Sequence, residues 1–328
     1  MPGGRLVFER PGSDGKEHYF TIKTDGSDEH ALYVREDCGC AVWSADGTRV
    51  MTLDATGLGT FSLMTIRPDG TDRVVVTPPI KTLNLGPGAS SKDGRRIAFG
   101  GWDQTDHARD GVYVGSPDLA DVRRVTPIPA GHVSVEPFGI TPDGSRIAFF
   151  ADRGKTEHAA GDLFVVNADG KKLRQLNPPG TTHNFLDVAS GSLSPDGRHV
   201  AFGVEGRIYV ADLDGGEARP ITDPADFVWA VSWSPTEEWI AYTRQHGSRS
   251  VISLVRPDGT DHKEISPKGD TGETSRAMWS PTGDALVVQR DADTPHNLWI
   301  MDLEGVFIGQ VTHEPSDYAW FSWASAGS

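Results

Sequence analysis

Short apolar runs alternate with polar turns along the whole chain, as in RLVFER, RVMTLD, RIAFGG, RIAFFAD, RHVAFGV, WIAYTRQ and DALVVQR. Gly, Pro, Asp and Ser bound each run, so the pattern predicts short, largely buried strands rather than helices. No stretch carries a 3.6-residue apolar stripe over three turns. The runs also recur in phrase: VWSADGTRVMTL, ASSKDGRRIAFG, ITPDGSRIAFF, LSPDGRHVAFG, SWSPTEEWIAYT and MWSPTGDALVVQ, with a turnless seventh, YAWFSWAS, near the C-terminus. Self-similarity at about 40–50 residues marks propeller blades, each too small to bury its own faces and stable only when stacked on neighbours.

Between successive anchors, Trp43, Ser90, Ile140, Leu193, Trp233, Trp279 and Trp323, each unit holds four strand segments, A to D. Strand A ends on the anchor, an Asp-Gly-type turn leads to B, and C ends in a second such turn, as in TIKTDG, TIRPDG, VVNADG and LVRPDG. Asp-Gly supplies the left-handed residues of a tight hairpin. The N-terminal unit has B, C and D but lacks A, whereas the C-terminus offers a lone A strand. The expectation is an all-β, seven-bladed propeller of four-stranded blades spanning residues 1–328 as one domain, with blade 1 built from 1–35 plus 316–328. Closure by the C-terminal strand removes the exposed edges of an open array.

Composition narrows the partners. Gly 38 and Pro 22 suit many tight turns, and the formal charge of −15 disfavours nucleic acid and anionic membranes. No basic, apolar leader and no apolar span of about 20 residues is present, so the expectation is a soluble, monomeric, cytoplasmic protein. Cys38 and Cys40, the two cysteines, are too close in sequence for an unstrained disulfide and read as reduced.

The phrase SPDG-x-x-[IV]-A-F followed by an apolar strand and Asp-Gly resembles the PD40, or TolB-like, relative of the WD40 repeat, and the resemblance covers nearly the whole chain. It implies the propeller fold. TolB-like proteins carry a separate domain ahead of the propeller, and other PD40 propellers gate serine peptidases. Neither such a domain nor a G-x-S-x-G elbow is seen here.

Candidate chemistry gathers where the copies disagree. On the blade map, eight of the eleven histidines fall in the B–C and D–A loops, which share one face. Six residues before the anchors stand Asp37, Asn84, Ser134, Asp187, Phe227, Glu273 and Asp317, which puts four acids and an amide at one level of the channel mouth. Deeper positions are mostly small, interrupted by Glu136, Phe138, Trp229 and Phe321, with Trp320 close by. Acids beside imidazoles and aromatic walls suit a cationic ligand or a divalent metal such as Mn, Zn or Ca. GHVSVEPFG, TTHNF and VTHEP further resemble the Gly-His, Thr-His and terminal Thr-His-Pro segments of oligogalacturonate lyases. That resemblance implies metal ligation by His132, His183 and His313, although the terminal paired His-Pro of that family is single here. The leading expectation is a propeller that binds a cationic, peptidic, protein or small-molecule ligand at this mouth, and the alternative is a metal-dependent lyase or hydrolase using the same residues. The acid-rich loop GGWDQTDHARDG is a further candidate, for calcium.

Overall fold

The computed structural model describes residues 2–34, 41–55, 61–154, 161–181, 191–223, 228–247, 249–266, 272–291, 296–314, 316 and 321–324. Within them the strands form seven four-stranded antiparallel meanders arranged as a propeller. In blade 1 the inner strand A is Phe321–Ala324, and B, C and D are Arg5–Pro11, Glu17–Lys23 and His30–Val34. Phe321 to Ala324 pair antiparallel with Phe8 to Arg5, so the two ends of the chain share one sheet, as the repeat pattern predicts. Inner strands of successive blades touch from blade 3 round through blade 7 to blades 1 and 2, which puts strand A at the axis. Apolar clusters lie between blades; Leu6, Phe8 and Ile22 of blade 1 pack with Val287, Leu298 and Ile300 of blade 7.

The recurring phrase proves to be a hydrogen-bonded turn. In blade 2, Ser44 Oγ donates to the Asp46 carboxylate at 2.6 Å and accepts the Arg49 amide at 3.0 Å, while Gly47 takes φ +68°. Ser91 with Asp93 and Thr141 with Asp143 repeat the arrangement in blades 3 and 4. Two of the four anchor tryptophans tie blades together: Trp43 Nε1 donates to the Ser322 carbonyl at 3.2 Å, and Trp279 Nε1 to the Ser232 carbonyl at 3.0 Å, each reaching the inner strand of the preceding blade.

The outer hairpin has its own device. After strand D, the side chains of Asn177, Thr222, Ser266 and Thr312 each accept the amide of the strand C residue fourteen positions earlier, at 2.9 Å. The second Asp-Gly turn then packs on the preceding blade: a Cβ at Gly305 would lie 1.9 Å from the Ile265 carbonyl oxygen, and one at Gly170 2.6 Å from that of Val125. These glycines answer both a left-handed backbone and a close approach.

Gly305→Ala should therefore cost about 3 kcal/mol in urea unfolding, from αL strain plus overpacking at the seam. Gly131→Ala, at φ +85° with nothing near its Cβ position, should cost only about 1 kcal/mol. Equal losses would contradict the seam packing.

Candidate functional site

Blade 4 presents its inner strand, Ser134–Ile140, to the axis and pairs it with Arg146–Asp152. Two residues in from the loop end stands Glu136, half-buried, opposite Phe150 in the ladder. Phe150 stacks on Phe138 at 4.5 Å between ring centres, giving the carboxylate an aromatic neighbour. No hydrogen bond or ion pair engages the Glu136 carboxylate among the described residues. Burial, with the nearby Asp152 charge, pushes its pKa up to about 7. Natural cores seldom leave a carboxylate in that state, and such groups gather at functional sites. The positions of equal depth in blades 3, 6 and 7 are Gly86, Trp229 and Ser275, so glutamate and tryptophan are the bulky groups among small ones.

The other candidates separate. Asn84 is fully buried within the blade 3 ladder, where its amide donates to the Trp102 carbonyl at 3.4 Å, so it does not stand at an open rim. Trp229 is half-buried on the inner strand of blade 6, and half-buried Glu273 opens that of blade 7. Asp37, Asp187, Asp317, Trp320 and His183 lie outside the described residues, as do Phe227, Cys38 and Cys40.

His132 is occupied. Its Nε2 pairs with the Asp162 carboxylate at 2.7 Å and its Nδ1 donates to the Ala130 carbonyl at 3.1 Å. Asp162, 1% exposed, also takes Arg153, Gln175 and Asn177, a buried hub that pins the loop before strand A to the outer hairpin. Burial raises the Asp162 pKa, but the Asn177, His132 and Arg153 hydrogen bonds outweigh it and the net shift is downward. His313 is exposed beside the outer turn of blade 1, where a Cβ on Gly26 would lie 3.4 Å from its Nε2. Thr312 before it is the blade 7 hairpin cap, the counterpart of Asn177, whereas His183 stands six residues beyond that cap. The Thr-His echo thus joins two different places in the repeat. Among the described residues, no three His, Cys, Asp or Glu side chains come together as a metal group.

The acidic loop of blade 3 is a self-contained brace. Fully buried Asp103 accepts from Thr82 Oγ1, the Thr105 amide and hydroxyl, and Arg109. Burial opposes ionisation there, yet those donors hold the carboxyl well below the usual range. Its oxygens are spent on protein donors rather than on a cation.

Sequence reasoning missed the register shifts of the inner strands in blades 3, 4, 6 and 7, two of which carry no glycine. Ala230 in blade 6 and exposed Arg276 in blade 7, both three residues before a tryptophan anchor, adopt φ +53° and +51° where their ladders shift register. No glycine marks either position, so no local signal was available.

No family model matches the chain. It is 25% identical to dipeptidyl-peptidase 5 of Porphyromonas gingivalis over 90% of its own length and 50% of that protein. It is 26% identical to the uncharacterized peptidase YuxL of Bacillus subtilis over 52% of its length and 32% of that protein. The chain thus spans half or less of the curated relatives it matches. Solved propellers of the same fold include TolB from Acinetobacter baumannii, with TM-score 0.58 and 17% identity over 98% of this chain and 67% of that one. A puromycin hydrolase mutant complexed with PGG gives TM-score 0.69 and 16% identity over 97% of this chain and 53% of that one. An oligogalacturonate lyase in complex with manganese gives 0.60 and 13% over 94% and 86%. These likenesses establish the propeller fold. Among the described residues no helix is long and apolar enough to cross a membrane.

Two carboxylates of blade 4 should respond to pH with opposite sign. Asp162→Asn should cost about 3 kcal/mol at pH 7, because the lowered pKa makes its charge stabilising above the usual carboxylate range. That loss should vanish as acid protonates Asp162 in the parent protein. Glu136→Gln should instead raise stability by about 2 kcal/mol at pH 8, and the gain should fade as pH drops through 7 toward 4.5, the Glu136 shift being upward. Thermal melts from pH 3 to 8 read both; parallel curves would contradict the assignments.

Proposed function

We propose that this propeller is a binding module that receives a peptidic ligand with a cationic group at the mouth of its axial channel, with Glu136 as the counter-charge. One observation carries the reading: the half-buried Glu136 carboxylate, unengaged among the described residues, beside the Phe138–Phe150 stack. An ammonium offered to a desolvated carboxylate and an aromatic face gains from both, and it relieves the cost of ionising that carboxylate. Two named peptidases among the relatives support a peptide rather than a sugar. In such a protein the propeller would admit and orient a chain while chemistry occurs elsewhere.

A lysine-containing tripeptide amide, measured by titration calorimetry against its lysine-acetylated form, tests this. At pH 8 the charged peptide should bind about tenfold tighter than the acetylated one. Between pH 8 and 6 its affinity should fall about tenfold as Glu136 takes up its proton, and Glu136→Gln should erase both differences. Equal binding of the two peptides would overturn the proposal.

A further inference from the structure

At the opposite end of blade 4, where the Asp-Gly turns lie, the seam with blade 5 opens into a groove of about 550 Å³. Arg146, Asn167, Lys172, Arg174, Leu173 and Leu213 line it. The ladder places Arg146 beside Asn167 at this end and Ser134 beside Asp152 at the other, so the groove is separate from the Glu136 mouth.

Comparison among blades shows what is unusual here. In blades 1, 2 and 3 an arginine at the start of strand B, Arg5, Arg49 or Arg96, is neutralised inside its own blade by Asp28, Asp72 or Asp121. Asp28 and Asp72 stand two residues after the turn glycine, at φ +56° and +53°. Blade 4 keeps the arginine as Arg146, but the residue two after Gly170, at φ +56°, is Lys172. The partner charge has been reversed. A left-handed lysine is itself uncommon, whereas aspartate suits that conformation.

Arg146 turns instead to Asp214 across the seam through Nη2, and its Nη1 is buried without a hydrogen-bond partner among the described residues. Arg174 is spent on the Asp212 and Gly216 carbonyls at 2.5 and 3.2 Å, which holds the blade 5 turn against the groove. Lys172 makes no ion pair or hydrogen bond among the described residues, nor does the Asn167 side chain. Three cations face one carboxylate in a chain of net charge −15, over a floor of Val165, Leu213 and the 42% exposed Leu173. An anion would relieve such a local excess, and an apolar body on that anion would cover the leucines.

We infer that the groove between blades 4 and 5 binds a small organic anion, its carboxylate or phosphate head held by Arg146 and Lys172 and its apolar part seated on Leu173 and Leu213. Phenyl phosphate and inorganic phosphate are the probes, titrated calorimetrically into the intact protein at low salt. Phenyl phosphate should bind about tenfold tighter than inorganic phosphate, because only it reaches the leucines. Lys172→Asp restores the residue that the same turn carries in blades 1 and 2, so it should fold with an unchanged melting temperature and lose at least about tenfold in affinity. Lys172→Gln should weaken binding by about fivefold, keeping the test decisive if the aspartate variant fails to fold. Lys81→Asp, an equal charge change at an exposed site, should leave binding intact. Absence of binding by either probe, indifference to both Lys172 variants, or an equal loss in Lys81→Asp would overturn the inference.

Discussion

Everything in this molecule depends on the pairing of Phe321–Ala324 with Arg5–Phe8. A blade buries its faces only against its neighbours, so a ring left open would expose an apolar face on blade 1 and another on blade 7. The four ladder positions that join the chain ends bring Phe8, Phe20 and Trp323 onto Val287 and Ile300 and complete the last interblade cluster. With the ring shut, the inner strands are held from both sides. Side chains on them can then be left unsatisfied without the backbone giving way.

That rigidity explains where the chain agrees with itself and where it does not. Ser44 with Asp46, the Trp43 and Trp279 indoles, and the caps Asn177, Thr222, Ser266 and Thr312 all satisfy backbone groups or join blades, so their roles are repeated. Departures from the repeat have no such duty. Glu136 stands at a depth where every other blade but blade 6, with Trp229, places a small residue, and Lys172 stands where blades 1, 2 and 6 place Asp28, Asp72 and Asp261.

The fold was legible in the sequence because hydrophobic period, turn chemistry and repeat length all pointed to one architecture. The site was legible only in part. Counting back from the anchors brought out Glu136 and Trp229, but it treated His132 and His313 as neighbours on a rim. The buried Asp162 that engages His132 lies thirty residues away on strand C, a pairing that no local pattern announces. His313 was misread for a different reason: loops before strand A differ in length, so counting from the anchor and counting from the Thr312 cap give different registers. The bulges at Ala230 and Arg276 escaped because ordinary residues occupy them.

The central claim is that the closed ring holds at the axis a desolvated carboxylate, Glu136, that no described residue pairs. Carbon-detected NMR titration of labelled glutamate carboxyls tests it most directly, with Glu136→Gln assigning the resonance. A single glutamate titrating near pH 7, and moving down when a cationic peptide is added, is the predicted result. A Glu136 resonance titrating near 4.5 and unmoved by the peptide would contradict it.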